Sequence, residues 1–363
     1  MLGSIGERAR MQPPPRASYP SSWLGRNLEQ VELLGQQLRR RMLVTFPFSH
    51  FRGRDYLSRL AELPEVSRGA DRVEQNILTE LRGSGAAFLL RQDLTPLLGL
   101  GGGELIHSLA ESVRAGFFAR QKQFLGSEGT LAAFPGAWRL GLQSRMLDLA
   151  EGYLGLPCFY LGATVKRAVP SRPAMASNSE AIGQAKASNS EAIGQAKASD
   201  SEAVGQIKAS SSGAIGHIKS PRAWHLDMED ERVVRVLVYL SPVSAGDGPF
   251  EFLPRLVSQS VEMSARYRAG QIGDNRMKKL AARATRRVAY GETGDAVIFD
   301  GAQIFHRNRP PLTGERYSIT FAYCSRKPLQ IDPRRKLSEG ARERLAITLS
   351  ARQQGCLPPP KRF

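Results

Sequence analysis

Gly294-Asp295-Ala296-Val297-Ile298-Phe299-Asp300-Gly301, then Ile304-Phe305-His306, and past a turn-rich link Arg316-Tyr317-Ser318-Ile319-Thr320-Phe321-Ala322-Tyr323, read as two strands joined by a tight return. Turn residues bound the first apolar run at both ends, as they do for a short buried strand. In the second run polar or small residues alternate with apolar ones, and side chains on a strand point alternately to opposite faces. Arg316 and Ser318 therefore share an inward polar face. The link Arg309-Pro310-Pro311-Leu312-Thr313-Gly314-Glu315 is rich in turn formers, so an antiparallel return brings His306 and Arg316 near each other.

Working outward, Trp224-His225-Leu226-Asp227 has the same two-residue period. On a strand His225 and Asp227 point one way, and Trp224 and Leu226 the other, where Trp224 reads as a core aromatic. Taken singly, His306 could be a satisfied core histidine and Arg316 a surface ion-pair partner. Taken together, two imidazoles and one carboxylate make the facial triad of non-haem iron(II) oxygenases, although zinc hydrolysis uses a similar set. Arg316 decides between them. Its guanidinium fork suits a carboxylate, and a five-carbon diacid can span from a metal to such a fork. Ser318 is the natural second donor, and Asn308 is either a further hydrogen-bonding partner or a strand cap.

His225-x-Asp227, His306 and Arg316 together resemble the 2-oxoglutarate and iron(II)-dependent dioxygenase superfamily over the latter half of the chain. Asp247-Gly248-Pro249-Phe250-Glu251-Phe252-Leu253-Pro254 and Gly294 to Phe299 resemble its phytanoyl-CoA dioxygenase-like branch. The prolyl-hydroxylase-like branch is similar from His306 to Arg316. The chain departs from the first branch at Arg255-Leu256, where a Gly-Ser-His run is usual. The resemblance implies an α+β fold, a double-stranded β-helix or jelly roll with an N-terminal helical buttress and a C-terminal helix. It implies His225, Asp227 and His306 on Fe(II), with Arg316, Ser318 and Asn308 toward the 2-oxoglutarate co-substrate. Dioxygen and 2-oxoglutarate would then be consumed, succinate released and a substrate C–H hydroxylated. Related halogenases lack the carboxylate ligand, so Asp227 points to hydroxylation, with desaturation or ring chemistry as the other outcomes of the same site.

The 363 residues carry a formal charge of +17, with 41% hydrophobic residues, enough to fill a core. Such charge suits an anionic substrate, a carrier-linked acyl group or nucleic acid, yet no nucleic-acid motif accompanies it and a solvated Arg-rich surface explains it as well. The basic stretch Arg266 to Arg287 is the local expression of that charge. Nowhere do about 18 apolar residues run together, and Met1 to Arg26 lacks a signal-peptide core. A cytoplasmic enzyme with a small-molecule substrate and no membrane span is expected, the other readings being a dioxygenase of protein or nucleic acid, or a non-catalytic jelly-roll module. Cys158, Cys324 and Cys356 are scattered without metal-ligand spacing.

Four regions are expected. Residues 1–26 form a flexible basic segment, and 27–154 a helical region with apolar periods at Leu28 to Leu38, Leu60 to Val66, Glu104 to Gln123 and Ser144 to Leu154. Residues 155–330 hold the β-helix core, its first strands at Phe159-Tyr160-Leu161 and Ala163-Thr164-Val165, and 331–363 a C-terminal helix, near Leu337 to Arg352, and a basic tail. Within the core, Ala-Ser-Asn-Ser-Glu-Ala-Ile-Gly-Gln-Ala-Lys begins at Ala176 and recurs from Ala187, Ala198 and Ala209, an 11-residue repeat over 176–219. A glycine in every copy and few large aliphatics predict a surface insertion.

Overall fold

The computed structural model describes residues 55–60, 71–117, 124–170, 223–281 and 286–360. The repeat insertion and the Leu28 to Leu38 helix lie outside the described residues. After a helix at 55–60, the helical region supplies α1 (Arg72–Gly83), α2 (Arg91–Leu98), α3 (Gly102–Ser112), α4 (Ser127–Ala133), α5 (Pro135–Arg139) and α6 (Ser144–Leu154). Helix α1 starts from a reciprocal cap: Asp71 accepts from the Glu74 N–H and Glu74 accepts from the Asp71 N–H. Helix α6 has the bounds its period predicts, burying Met146, Leu147, Ala150, Tyr153 and Leu154 along one stripe. Among the described residues no helix is long and apolar enough to cross a membrane.

Two strands precede or interrupt these helices, β1 (Ala86–Leu89) and β2 (Phe124–Leu125), and seven follow or overlap the core: β3 (Cys158–Ala168), β4 (Val234–Tyr239), β5 (Phe250–Phe252), β6 (Arg287–Ala289), β7 (Ala296–Asp300), β8 (His306–Asn308) and β9 (Arg316–Ser325). They form a six-stranded sheet, β1-β7-β4-β9-β3-β2, and a three-stranded sheet, β6-β5-β8, with every pairing antiparallel. Trp224 and His225 add single bridges to Ile272 and His306 at the edge of the smaller sheet. From β3 onward the chain lays β3 and β4 in the larger sheet and β5 and β6 in the smaller, then crosses back and forth for β7, β8 and β9, which makes the fold a double-stranded β-helix, as the sequence led us to expect. The helical region adds the edge strands β1 and β2.

Both faces of the larger sheet are covered, so all six residues of β4 are buried. Val234, Val236 and Val238, with Ile298, Ile319, Phe321 and Tyr323, pack on helical residues such as Leu81, Leu97 and Leu147. The alternate face carries Leu237, Tyr239, Val297 and Phe299 against Phe250, Phe252 and Ala289 of the smaller sheet. That second face is the barrel interior.

Two expectations are corrected. The runs around Phe159 and Ala163 are one strand of 11 residues, bulged between Tyr160 and Ala163. Gly162 takes the irregularity at φ 82, and a Cβ there would overlap Ser127. The single helix expected near Leu337 to Arg352 is two short ones, α9 (Glu339–Ala346) and α10 (Ala351–Gly355), because Ser350 and Gln353 form a capping box that starts a new helix. The basic stretch Arg266 to Arg287 follows α7 (Arg255–Ala265), contains α8 (Asp274–Leu280) and ends at the start of β6.

Candidate metal centre

His225 and His306 sit directly opposite each other. The N–H of each donates to the carbonyl of the other at 3.1 Å, so their side chains leave the backbone on the same face, with ring centroids 4.4 Å apart. Asp227, two residues beyond His225, points to that face too, and its N–H is tied to the Gly301 carbonyl at 2.6 Å. A Cβ built on Gly301 would overlap the Asp227 carboxylate. Gly301 is what lets the β7–β8 turn pass so close.

Each imidazole also has a fixed orientation. His225 Nδ1 lies 3.1 Å from the Ala223 carbonyl and His306 Nδ1 3.0 Å from the Ile304 carbonyl. A carbonyl only accepts, so Nδ1 carries the proton in each ring, and the lone pair that a cation would take sits on Nε2. Those Nε2 atoms stand 4.0 and 3.9 Å from Asp227 Oδ1, and all three atoms lie within 4.8 Å of one another. Donors ~2.1 Å from one ion at right angles would be about 3 Å apart, so shifts under ~1 Å close the triangle on a metal. Burial draws His306 below the ordinary histidine value, Asp227 partly opposing it. For Asp227 burial pushes upward, but Arg235, His306 and His225 outweigh it and hold the carboxyl far below the carboxylate range. The donor set is two imidazoles, each with Nδ1 against a backbone carbonyl, and one carboxylate.

The remaining predicted residues share the same interior. His306 packs against Phe299 and Phe250 at centroid distances of 4.9 and 5.8 Å. Asn308, two residues on from His306, lies opposite Phe250 in the register, and its Oδ1 is buried without a hydrogen-bond partner. Ser318 is buried opposite Tyr239, and Arg316 precedes it by two on the same face of β9. Arg316 is only 1% exposed. Its Nη1 reaches one neutral carbonyl, that of Arg309, at 3.5 Å, and its Nε has no partner. Among the described residues no carboxylate pairs with it, and burial draws it down to about 10, Tyr239 partly opposing this. A buried cation without an anion is costly. Such a guanidinium fork can take a carboxylate.

Sequence reasoning missed Arg235 and Glu229. Arg235 Nε holds Asp227 Oδ2 at 2.7 Å, and its Nη2 holds Glu229 Oε1 at 2.7 Å. The signal was present: Arg235 is the single charge within Val233 to Leu240, and Glu229 extends the period His225, Asp227. Trp224 is buried on the other side, as expected, its indole donating to Asp274 at 3.3 Å beneath the Arg307 guanidinium, 4.6 Å from the ring centroid.

A second group of potential ligands, Glu151, Cys158 and Cys356, joins α6, β3 and the chain after α10. The two cysteines, distant in sequence, are buried side by side. Glu151 spends one oxygen on the Cys158 N–H at 3.3 Å and the other on Arg352 at 2.9 Å, which reads as a structural tie. In the basic segment Lys278 and Lys279 occupy the last turn of α8, where cations oppose the helix dipole, and Arg286 lies 3.6 Å from Glu251.

No family model matches the chain, and no curated protein does. Solved structures do. SnoN, a non-haem alpha ketoglutarate dependent epimerase from nogalamycin biosynthesis, is 12% identical over 71% of this chain and 85% of its own, with a TM-score of 0.40. EctD from S. alaskensis, solved with 2-oxoglutarate and 5-hydroxyectoine, is 13% identical over 74% and 80%, at 0.44. HygX from Streptomyces hygroscopicus, solved with nickel and 2-oxoglutarate, is 14% identical over 69% and 86%, at 0.39. Their likeness is one of backbone, and what this chain does rests on its own side chains.

Proposed function

We propose that the chain is an Fe(II)- and 2-oxoglutarate-dependent oxygenase that hydroxylates an organic small molecule. The observation that carries this reading is the buried, anion-less Arg316 facing the same interior as two imidazole Nε2 atoms and one carboxylate oxygen. The three donors alone would also suit a zinc hydrolase; the guanidinium in the same interior is what suits a diacid chelating the metal. When bound, iron, 2-oxoglutarate and dioxygen supply oxidative decarboxylation to succinate coupled to oxidation of an unactivated C–H bond.

The protein's own residues bind and orient. His225 and His306 donate through Nε2 because their Nδ1 protons are committed to backbone carbonyls. Asp227 donates through Oδ1 because Arg235 occupies Oδ2. Arg316 fixes the distal carboxylate of the co-substrate, Ser318 and Asn308 lending hydrogen bonds, and Phe250 and Phe299 keep water from the metal side of His306. Anaerobic titration of the Fe(II)-loaded protein with 2-oxoglutarate should produce the visible charge-transfer band of the chelate, and aerobic incubation should release succinate. His225→Ala should lose both; a variant that keeps both would refute the site.

A further inference from the structure

Resting on that reading, a second acid stands beside the metal centre, and something must keep it off the ion. Glu229 follows Asp227 by two residues, is 9% exposed, and acts electrostatically on His306. Carboxylates compete well for iron(II), and a fourth protein ligand would fill a position that the co-substrate and dioxygen need. Among the described residues Arg235 is the one that hydrogen-bonds to both acids. It sits 4% exposed in the middle of an otherwise apolar strand, with neighbouring nitrogens on Asp227 Oδ2 and Glu229 Oε1 at 2.7 Å each. Arg335 backs Glu229 from another side, its Nε 3.8 Å from the same Oε1, which draws that acid toward the C-terminal segment. A guanidinium is suited to this because its planar fork fixes two oxygens at once.

We propose that Arg235 is a positioning residue that keeps Asp227 monodentate and sequesters Glu229, so that three coordination positions stay open. Its loss takes the nearest cation from Asp227 Oδ2 and Glu229 Oε1, leaving Glu229 to the Met228 N–H at 3.0 Å and the more distant Arg335 at 3.8 Å, so that both acids can turn toward the ion. Metal binding then holds or tightens while chelation of the co-substrate weakens, the opposite pairing to that expected of simple structural damage.

The test uses the full chain under argon. Co(II) affinity is read from its visible absorption, and 2-oxoglutarate affinity from the charge-transfer band of the Fe(II)-loaded protein. Arg235→Met should bind Co(II) at least as tightly as wild type and lose roughly tenfold or more in 2-oxoglutarate affinity, about 1.4 kcal/mol. Adding Glu229→Gln should restore the part of that affinity that the Glu229 carboxylate takes, while Glu229→Gln alone should leave both constants near wild type. Arg235→Lys keeps a cation that reaches one acid well; it should show a milder loss with the same rescue, and it serves if the Met variant does not fold. Retained 2-oxoglutarate affinity in Arg235→Met, or failure of Glu229→Gln to rescue, would overturn the proposal. His225→Ala is the separate control: if it binds Co(II) like wild type, the metal centre itself is wrong, whatever Arg235 does.

Discussion

Replacing Arg316 by methionine should push stability and ligand binding in opposite directions. The guanidinium is 1% exposed and its pKa is drawn from 12.5 to about 10, chiefly by burial. At 1.36 kcal/mol per unit, holding the charge inside the ligand-free protein costs about 3 kcal/mol. Methionine has nearly the same reach and needs no counter-charge. Some of the gain is lost because the Arg309 carbonyl, now 3.5 Å from Nη1, loses its donor, an effect of roughly 1 kcal/mol. The net expectation is a metal-free variant more stable by about 1–2 kcal/mol, a few degrees in Tm for a domain of this size. Against that, a charge-assisted carboxylate pair contributes roughly 3 kcal/mol, so 2-oxoglutarate affinity should fall about 100-fold. Thermal unfolding with and without 2-oxoglutarate and Mn(II) reads both effects in one series. A variant destabilised by more than ~1 kcal/mol, or one still stabilised by 2-oxoglutarate like wild type, would refute the account of Arg316 as a cation awaiting its anion.

Gly301→Ala should displace the Asp227 carboxylate, since its new methyl would overlap it; we expect Co(II) affinity to drop about tenfold or more with the fold retained by circular dichroism. Tyr153→Phe removes the 2.6 Å hydrogen bond from the Tyr153 hydroxyl to buried Asp300 and should cost about 1–3 kcal/mol in urea unfolding. Asp332 is held down to about 2, Arg334 outweighing burial. Its folded value lies below its unfolded one, so its stabilisation is present above pH ~4 and lost as pH falls toward 2. Asp332→Asn keeps the oxygen that caps the Arg334 N–H; because the Arg334 side chain is 58% exposed, the difference at pH 7 should be only about 1 kcal/mol, vanishing near pH 2, and a difference independent of pH would exclude the ion pair as its cause.

Periodicity made the site legible because each functional pair is spaced by two: His225 with Asp227, and Arg316 with Ser318. Strand alternation is the most local rule a sequence offers, and the pairs it sets on one face do share a face in the fold. Helix α6 was equally readable, its apolar stripe ending at Gly155. Other features depend on partners far along the chain. Strand β1 is only Ala86 to Leu89, too short for a period, and is a strand because β7 pairs with it. Cys158 and Cys356 have no spacing in common, since the fold brings the C-terminal segment to β3, where the Tyr160 N–H donates to the Cys356 carbonyl at 2.7 Å. Arg235 escaped because an arginine between valines weakens a strand pattern, although inside a barrel that buries Asp227 it has a place. The split of the C-terminal helix was readable in Ser350 and Gln353 and was overlooked.

Trp224 gives the protein a reporter of its own state. One of three tryptophans in the chain, it precedes His225 directly, and its indole is wedged under Arg307. Any ion with unpaired electrons seated on the neighbouring imidazole lies close enough to drain that indole's excited state, so intrinsic emission should dim as iron or cobalt enters and stay bright with zinc. Occupancy could then be followed by light alone, in real time and without a substrate in hand.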